Sequence, residues 1–424
     1  NRMLKLTRQV TIDRLGAQGD GIAHDDQHDI FVPNTLPHEQ VNITQDGTRG
    51  EVVDIITHSP SRQSAPCAFF GQCGGCILQH ATPDFYQDWK LKTLLETLRQ
   101  AGITITPEPM IAAHGQGRRR VTLHARRENG QWQVGFMARR SHTLIAIDHC
   151  LLLAPGLSQA LPAAQTLVEA LGGDKPLDVQ LTATESGLDA DIRGHGPISD
   201  GKRRVLATTA HHLGLARLTL HHDIIIEQTT PSLTMGASTL IPPPGGFLQA
   251  TEKGEQELGQ LVMQAAHSAK MVADLFAGVG TFSLRLAQQA RVHAVESDAP
   301  ALAALDRAAR NTPHLKPITC ETRDLFKRPL QVLELNPFDT VVFDPPRAGA
   351  EAQVRQLARS DVRTVIGVSC NAATFARDAK ILMEGGYELE TLWPVDQFLY
   401  SAHLELVARF SKAKAPKKQR RLFG

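Results

Sequence analysis

Apolar and polar residues alternate along residues 4–57, the period of strands with one buried face. The pattern predicts strands at Gln9-Val-Thr-Ile-Asp13, Asp29–Val32, Gln40–Thr44 and Gly50–Ile56, with Gly16, Gly19, Gly21, Pro33, Pro37 and Gly47 turning the chain between them. A small all-β barrel is expected. After a loop at Ser59–Pro66 the period lengthens, and Phe85 to Leu98 carries helical spacing with Gly102 as its stop. Residues 118–230 mix strands with an Ala/Leu-rich helix at 157–171. Pro242-Pro-Pro-Gly-Gly246 interrupts the pattern and marks the clearest boundary. Beyond it, strands at 272–275, 292–296, 339–344 and 364–369 alternate with helical segments, which predicts a mostly parallel α/β sheet. The divisions expected are residues 1–60, 61–244 and 245–424.

Composition narrows the class. A chain of 424 residues with 42% hydrophobic and 21% charged residues is expected to form two or three globular domains. No apolar run approaches the roughly 20 residues of a membrane span, and no charged-then-apolar leader opens the chain. A cytoplasmic monomer is expected. The net charge of +1 gives no bulk attraction to nucleic acid, so distribution has to make that case. Arg118, Arg119, Arg120, Arg126, Arg127, Arg139 and Arg140 face only Glu128 and Asp148 in their stretch, and Lys412–Arg421 holds six basic residues and no acid. Either run suits phosphate contact or a solvated face. Of six cysteines, Cys67, Cys73 and Cys76 crowd together around Gly74-Gly75, a pattern for metal or cluster ligation in a reducing compartment.

The candidate chemistry lies in the last module. Val272-Ala-Asp-Leu-Phe-Ala-Gly-Val-Gly-Thr-Phe282 is an apolar strand entering a turn in which Gly278 and Gly280 allow close approach to a ligand. The third glycine of a dinucleotide fingerprint is missing. Glu296 ends the next strand, where a carboxylate can hold ribose hydroxyls, and Asp324 is a candidate for an adenine amino group. A cationic sulfonium needs carboxylates and no pyrophosphate cradle, so S-adenosylmethionine fits better than a dinucleotide. Asp344 ends a strand before Pro345-Pro346, and Cys370 ends another just before a helix, where the helix dipole is expected to favour the thiolate. His403-Leu-Glu-Leu-Val407 alternates as a strand, putting His403 and Glu405 on one face. Singly, each has a bland reading as packing or solvated surface. Together a cysteine, a base and a methyl donor suit uridine C5, a poor nucleophile until a thiolate adds at C6.

These motifs resemble the RNA 5-methyluridine methyltransferases, in particular the bacterial 23S rRNA branch with an N-terminal TRAM domain and an iron–sulfur cluster. The resemblance spans nearly the whole chain, through Cys67–Cys76, Phe247-Leu-Gln249, Asp274-Leu-Phe-Ala-Gly-Val-Gly-Thr281, Asp344-Pro-Pro-Arg347, Ser369-Cys-Asn371 and His403-Leu-Glu405. It implies a Rossmann-like S-adenosylmethionine-dependent domain, a TRAM barrel and a central α+β iron–sulfur domain that binds RNA, with the helix at 85–102 packing on the catalytic part. It also implies that Gln249, Phe276, Thr281, Glu296, Asp324 and Asp344 contact the cofactor, beside the Gly278 and Gly280 turn, that Cys370 attacks C6 and that Glu405 is the base. The family often has Asn where this chain has Thr251, a departure that touches a local contact. With Cys320 and Cys370 in the α/β region, Cys150 is the natural fourth ligand beside Cys67, Cys73 and Cys76. Four cysteines also make a zinc site; the resemblance implies [4Fe-4S]. Rival readings are the same chemistry on tRNA, whose enzymes usually lack barrel and cluster, and a non-catalytic iron–sulfur RNA-binding protein. Cytosine-5 methylation would usually place a cysteine after the proline of the Asp344 motif, and none is there.

Overall fold

The structure, a computed structural model, describes residues 6–25 and 28–412. The basic run expected to meet RNA at the C-terminus lies outside the described residues from position 413 on.

The N-terminal alternation forms a six-stranded sheet in the order Leu6–Thr11, Gln40–Asp46, Arg49–Thr57, Asp29–Val32, Gly21–His24, Arg14–Leu15. Its inward positions, among them Val10, Ile12, Ile30, Val32, Val41 and Ile43, close a core of their own. The short strands at Arg14 and Gly21 were hidden in sequence by the glycines around them. Gly16 N–H donates to the Asp20 carbonyl at 2.8 Å across a turn in which Gly19 takes φ +80°, so two strand ends meet where the pattern reads only as loop.

A second sheet of seven strands runs Leu144–Ala146, Gln131–Met137, Arg120–Glu128, Leu177–Thr184, Gly187–Arg193, Arg217–Leu220, Asp223–Glu227. The helices Ala160–Leu171 and Asp200–His212 bury Leu161, Leu167, Val168 and Leu206 with strand residues Leu123, Val179, Leu181 and Ile192. The buried pair Arg217–Asp189, at 2.6 Å, also holds the Pro242 carbonyl at 2.9 Å and so anchors the proline-rich boundary segment to this sheet.

The third sheet has eight strands in the order Ile318–Thr322, Arg291–Glu296, Met271–Leu275, Thr340–Phe343, Thr364–Ser369, Glu405–Ser411, Glu388–Asp396, Ile111–Ala112. The first five are parallel, and Glu405–Ser411 inserts antiparallel between Thr364–Ser369 and Glu388–Asp396. Successive connections leave Met271–Leu275 in opposite directions, so a crevice opens beyond its carboxyl end, the place where open α/β sheets bind ligands. Glu388–Asp396 carries Pro394 and Ile318–Thr322 alternates weakly, which is why neither announces itself as a strand. The helix Pro83–Gln100 belongs to this core: Leu94 and Leu98 pack with Ala273, Phe343 and Phe375. No helix among the described residues is long and apolar enough to cross a membrane.

Candidate active site

At the carboxyl end of Met271–Leu275 the chain turns through Phe276 at φ +59°, Gly278 at +55° and Gly280 at +95°. A Cβ at Gly280 would lie 2.6 Å from Leu305 Cγ, so the loop is pressed onto the helix Ala299–Arg310. A Cβ at Gly278 would meet nothing within 4 Å. Glu296 closes the loop from the next strand. Its Oε2 accepts from Gly278 N–H at 2.9 Å, and its Oε1 from the N–H groups of Ser297 and Asp298 at 2.7 and 2.9 Å. Three backbone donors fix where this carboxylate points. Asp324 Oδ1 accepts from Phe326 N–H at 3.0 Å, and the Phe326 ring leans on Phe276 with centroids 5.4 Å apart. Phe276, Gly278, Gly280, Glu296 and Asp324 therefore form one wall. Thr281 lies in the same loop, its carbonyl taking a hydrogen bond from Arg285 at 2.8 Å.

Asp344, Gln249, Cys370 and Glu405 form the second wall. Gln249 Nε2 lies 3.4 Å from Asp344 Oδ2, and its carbonyl accepts from Arg119 Nε at 3.1 Å. Register brings the catalytic candidates together. Ser369 pairs with Leu406 on the antiparallel strand, so the next residues, Cys370 and Glu405, face each other at the strand end. Burial pushes the Glu405 carboxyl up to about 7, opposed by a hydrogen bond from Gln397. Burial, with Glu405, Asp274 and Glu296 nearby, holds the Asp344 carboxyl well above the usual range.

The thiol departs from expectation. Burial, followed by Glu405 and Asp344, pushes Cys370 up to about 11, with Arg347 pulling the other way. Helix Ala372–Glu384 begins two residues later, and its N–H groups at Ala373 and Thr374 are taken by the side chain of the capping Asn371. The dipole effect predicted for Cys370 is thus outweighed by two carboxylates and desolvation. His403 is a second correction. It lies before the strand that starts at Glu405, and its Nε2 is 2.8 Å from Arg347 Nη2. Burial, with Arg347 beside it, lowers its pKa to about 4, so it is neutral.

The arginine-rich stretch is divided between different surroundings. Arg119 is buried against Glu255, Arg127 pairs with Asp174, and Arg139 and Arg140 pair with Asp20 of the N-terminal sheet. Arg119 is thereby fixed in the interior, while Arg127 and Arg140 keep their pairs at the surface. Arg118 and Arg120 instead line a cavity of about 290 Å3 together with Cys67, Cys73, Cys76 and Cys150. The four cysteines are free thiols brought to one cavity from two separate segments. They do not converge on a point: among the described residues no three His, Cys, Asp or Glu side chains are close enough to hold one metal ion. Two residues without a sequence signal complete the site, Gln397 and the Ser283 hydroxyl, which donates to buried Asp274 at 2.6 Å.

Comparison with known proteins places this architecture. Residues 244–412 match the model of the tRNA (uracil-5-)-methyltransferase family. The chain is 43% identical over 414 residues to an RNA methyltransferase of Rhizobium meliloti named as uncharacterized, covering 96% of this chain and all of the relative. It is 33% identical over 427 residues to the 23S rRNA (uracil(1939)-C(5))-methyltransferase of Chromohalobacter salexigens, covering 93% of this chain and 87% of that one. The chain belongs to the RNA (uracil-5-)-methyltransferases. The fold as a whole is that of the Pyrococcus abyssi tRNA (uracil-54, C5)-methyltransferase solved with S-adenosyl-L-homocysteine, at a TM-score of 0.72 and 22% identity over 95% of this chain and 99% of that one.

Proposed function

We propose that this enzyme methylates C5 of a uridine in 23S rRNA, with S-adenosylmethionine as the donor and a covalent bond from Cys370 to C6. The observation that carries the reading is Cys370 and Glu405 facing each other at the end of one strand pair. The first wall suits the donor: Glu296 Oε2, which accepts only from Gly278 N–H, has room for a hydroxyl, and Asp324 and the Phe276–Phe326 pair flank a flat ring, while Asp344 of the second wall offers a carboxyl to a sulfonium. The donor supplies an electrophilic methyl group. Cys370 sulfur bonds to C6, and the C5–C6 pair moves towards O4, making C5 nucleophilic. Once C5 carries the methyl group, Glu405 takes the C5 proton, the C5–C6 double bond re-forms and the C6–sulfur bond breaks. Because burial holds the thiol protonated, its proton must leave as the adduct forms, and Glu405 and Asp344 are the carboxylates beside it.

The same reading takes residues 1–60 as a TRAM-type barrel, 61–244 as the central domain and 245–424 as the catalytic domain. It assigns Cys67, Cys73, Cys76 and Cys150 to a [4Fe-4S] cluster. What supports the cluster is four free thiols brought around one cavity from two separate segments. A cluster there would tie the Cys67–Cys76 loop to the segment at Cys150. For the rRNA target the support is the relative at 33% identity. The test is a transfer assay with labelled donor on 23S rRNA and on tRNA, followed by nucleoside analysis. The reading expects 5-methyluridine in the rRNA alone; label only in tRNA would move the substrate, and no 5-methyluridine in either would end the proposal.

A further inference from the structure

Gln397, at the start of the loop after strand Glu388–Asp396, is 1% exposed and lies between Gln249 and Glu405 of the second wall. Its Nε2 donates to Gln249 Oε1 at 2.8 Å and to Glu405 Oε1 at 3.3 Å, while its Oε1 faces Thr251 N–H at 3.4 Å. Reversing the amide would set its oxygen against two acceptor oxygens, so its orientation is determined. Gln249 then has only its nitrogen left to turn towards Asp344. The result is a directed chain of amides from Glu405 through Gln397 and Gln249 to Asp344.

The loop is held from behind. Lys90, from the helix Pro83–Gln100, donates to Asp396 Oδ1 at 2.7 Å and to the carbonyls of Phe398 and His403 at 3.0 and 2.7 Å. Tyr86 donates its hydroxyl to Asp396 Oδ2 at 2.7 Å. Gln397 therefore projects from a clamped backbone. Glu405 is anchored on one side only: Oε1 meets Gln397, and Oε2 has no hydrogen-bond partner among the described residues.

We infer that Gln397 is a positioning residue for the base, holding Glu405 Oε1 so that Oε2 stays free and aimed at the C5 proton. This rests on Glu405 being that base. The bond also favours the charged carboxylate against its burial, in a site where Asp344 and Cys370 are the titratable groups facing it and Asp396, on the adjoining strand, is paired with Lys90 of the helix Pro83–Gln100. Thr251 caps the helix Glu252–Ala265 with its hydroxyl, and its own N–H faces Gln397 Oε1, which ties Gln397 to the start of that helix.

The test is Gln397→Met, close in size and without the amide. Methyl transfer within a single turnover should persist, while release of the methylated RNA slows about tenfold, the order of one hydrogen bond to a charged group. The KM for RNA should stay near wild type. The rising limb of the release rate against pH should move upward, because the carboxyl loses the donor that favours its charged form; Gln397→Glu should move it further. Should Gln397→Met lose its melting transition, Gln397→Asn, one methylene short of Glu405, carries the same measurement. An unshifted pH profile with release at the wild-type rate overturns the role of Gln397. Glu405→Gln runs alongside: normal turnover there overturns the base itself, whereas a stalled adduct there beside an unchanged Gln397→Met overturns only Gln397.

Discussion

Asp274 should make the enzyme less stable as the pH rises, and Asp274→Asn should remove this contribution. The carboxyl is fully buried beneath the glycine loop. Its Oδ2 accepts from Ser283 Oγ at 2.6 Å, and its Oδ1 has no partner among the described residues. Burial pushes its pKa up to about 7 from the ordinary 3.8, against the opposing Ser283 hydrogen bonds. Between those two values the unfolded chain has already lost the proton that the folded chain keeps, so stability is greatest below the ordinary value and falls until pH passes about 7. At about 1.4 kcal/mol per pH unit the gap amounts to roughly 4 kcal/mol at pH 8, of which roughly 2–3 kcal/mol develops above pH 5. Asparagine removes the charge and keeps an oxygen for Ser283. Its amide group must occupy the place of the unpartnered Oδ1, at about 1–3 kcal/mol. The variant is therefore expected to be close to wild type in stability at pH 5 and more stable at pH 8. Urea midpoints followed by circular dichroism at both values read the difference, and titrations elsewhere cancel between the two proteins. If the stability difference between variant and wild type is the same at pH 5 and pH 8, the reasoning about the buried carboxyl is refuted.

Three other outcomes follow from the geometry. Glu296→Ala should weaken S-adenosylmethionine binding by about 1–3 kcal/mol, the size of charged hydrogen bonds lost, and unchanged affinity by calorimetry would remove Glu296 from the donor site. Arg119→Met should cost about 2–3 kcal/mol in urea unfolding, below the 3–5 kcal/mol of an orphaned buried charge because Arg285 still holds Glu255 at 2.8 Å. Anaerobically purified protein should contain close to four irons per chain, and Cys150→Ser should lower iron content and RNA affinity while sparing donor binding; stoichiometric zinc without iron would refute the cluster.

The parts of the site that ride on strand ends were legible from sequence. Glu296, Asp344 and Cys370 each close an apolar run, and in a parallel sheet such ends gather at one edge whatever lies between them. What stayed hidden depends on contacts between distant segments. Arg119 looked like part of an RNA-binding run because Glu255, its buried partner, is 136 positions away. Gln397 carries no periodic signal, and its meaning comes from Gln249 and Glu405 converging on it. The acidity of Cys370 was misread for the same reason. Its neighbours in sequence suggested a helix dipole, while its neighbours in space are two carboxylates.

The central claim is tested most directly by trapping the covalent intermediate. Wild-type enzyme, Cys370→Ala and Glu405→Gln are incubated with labelled RNA and methyl-labelled donor and run on a denaturing gel. Glu405→Gln should accumulate a protein–RNA band carrying the methyl label, because methyl transfer precedes the proton removal it cannot perform. Cys370→Ala should give no such band and no turnover. A methyl-bearing adduct in Cys370→Ala, or normal turnover in Glu405→Gln, would contradict the account.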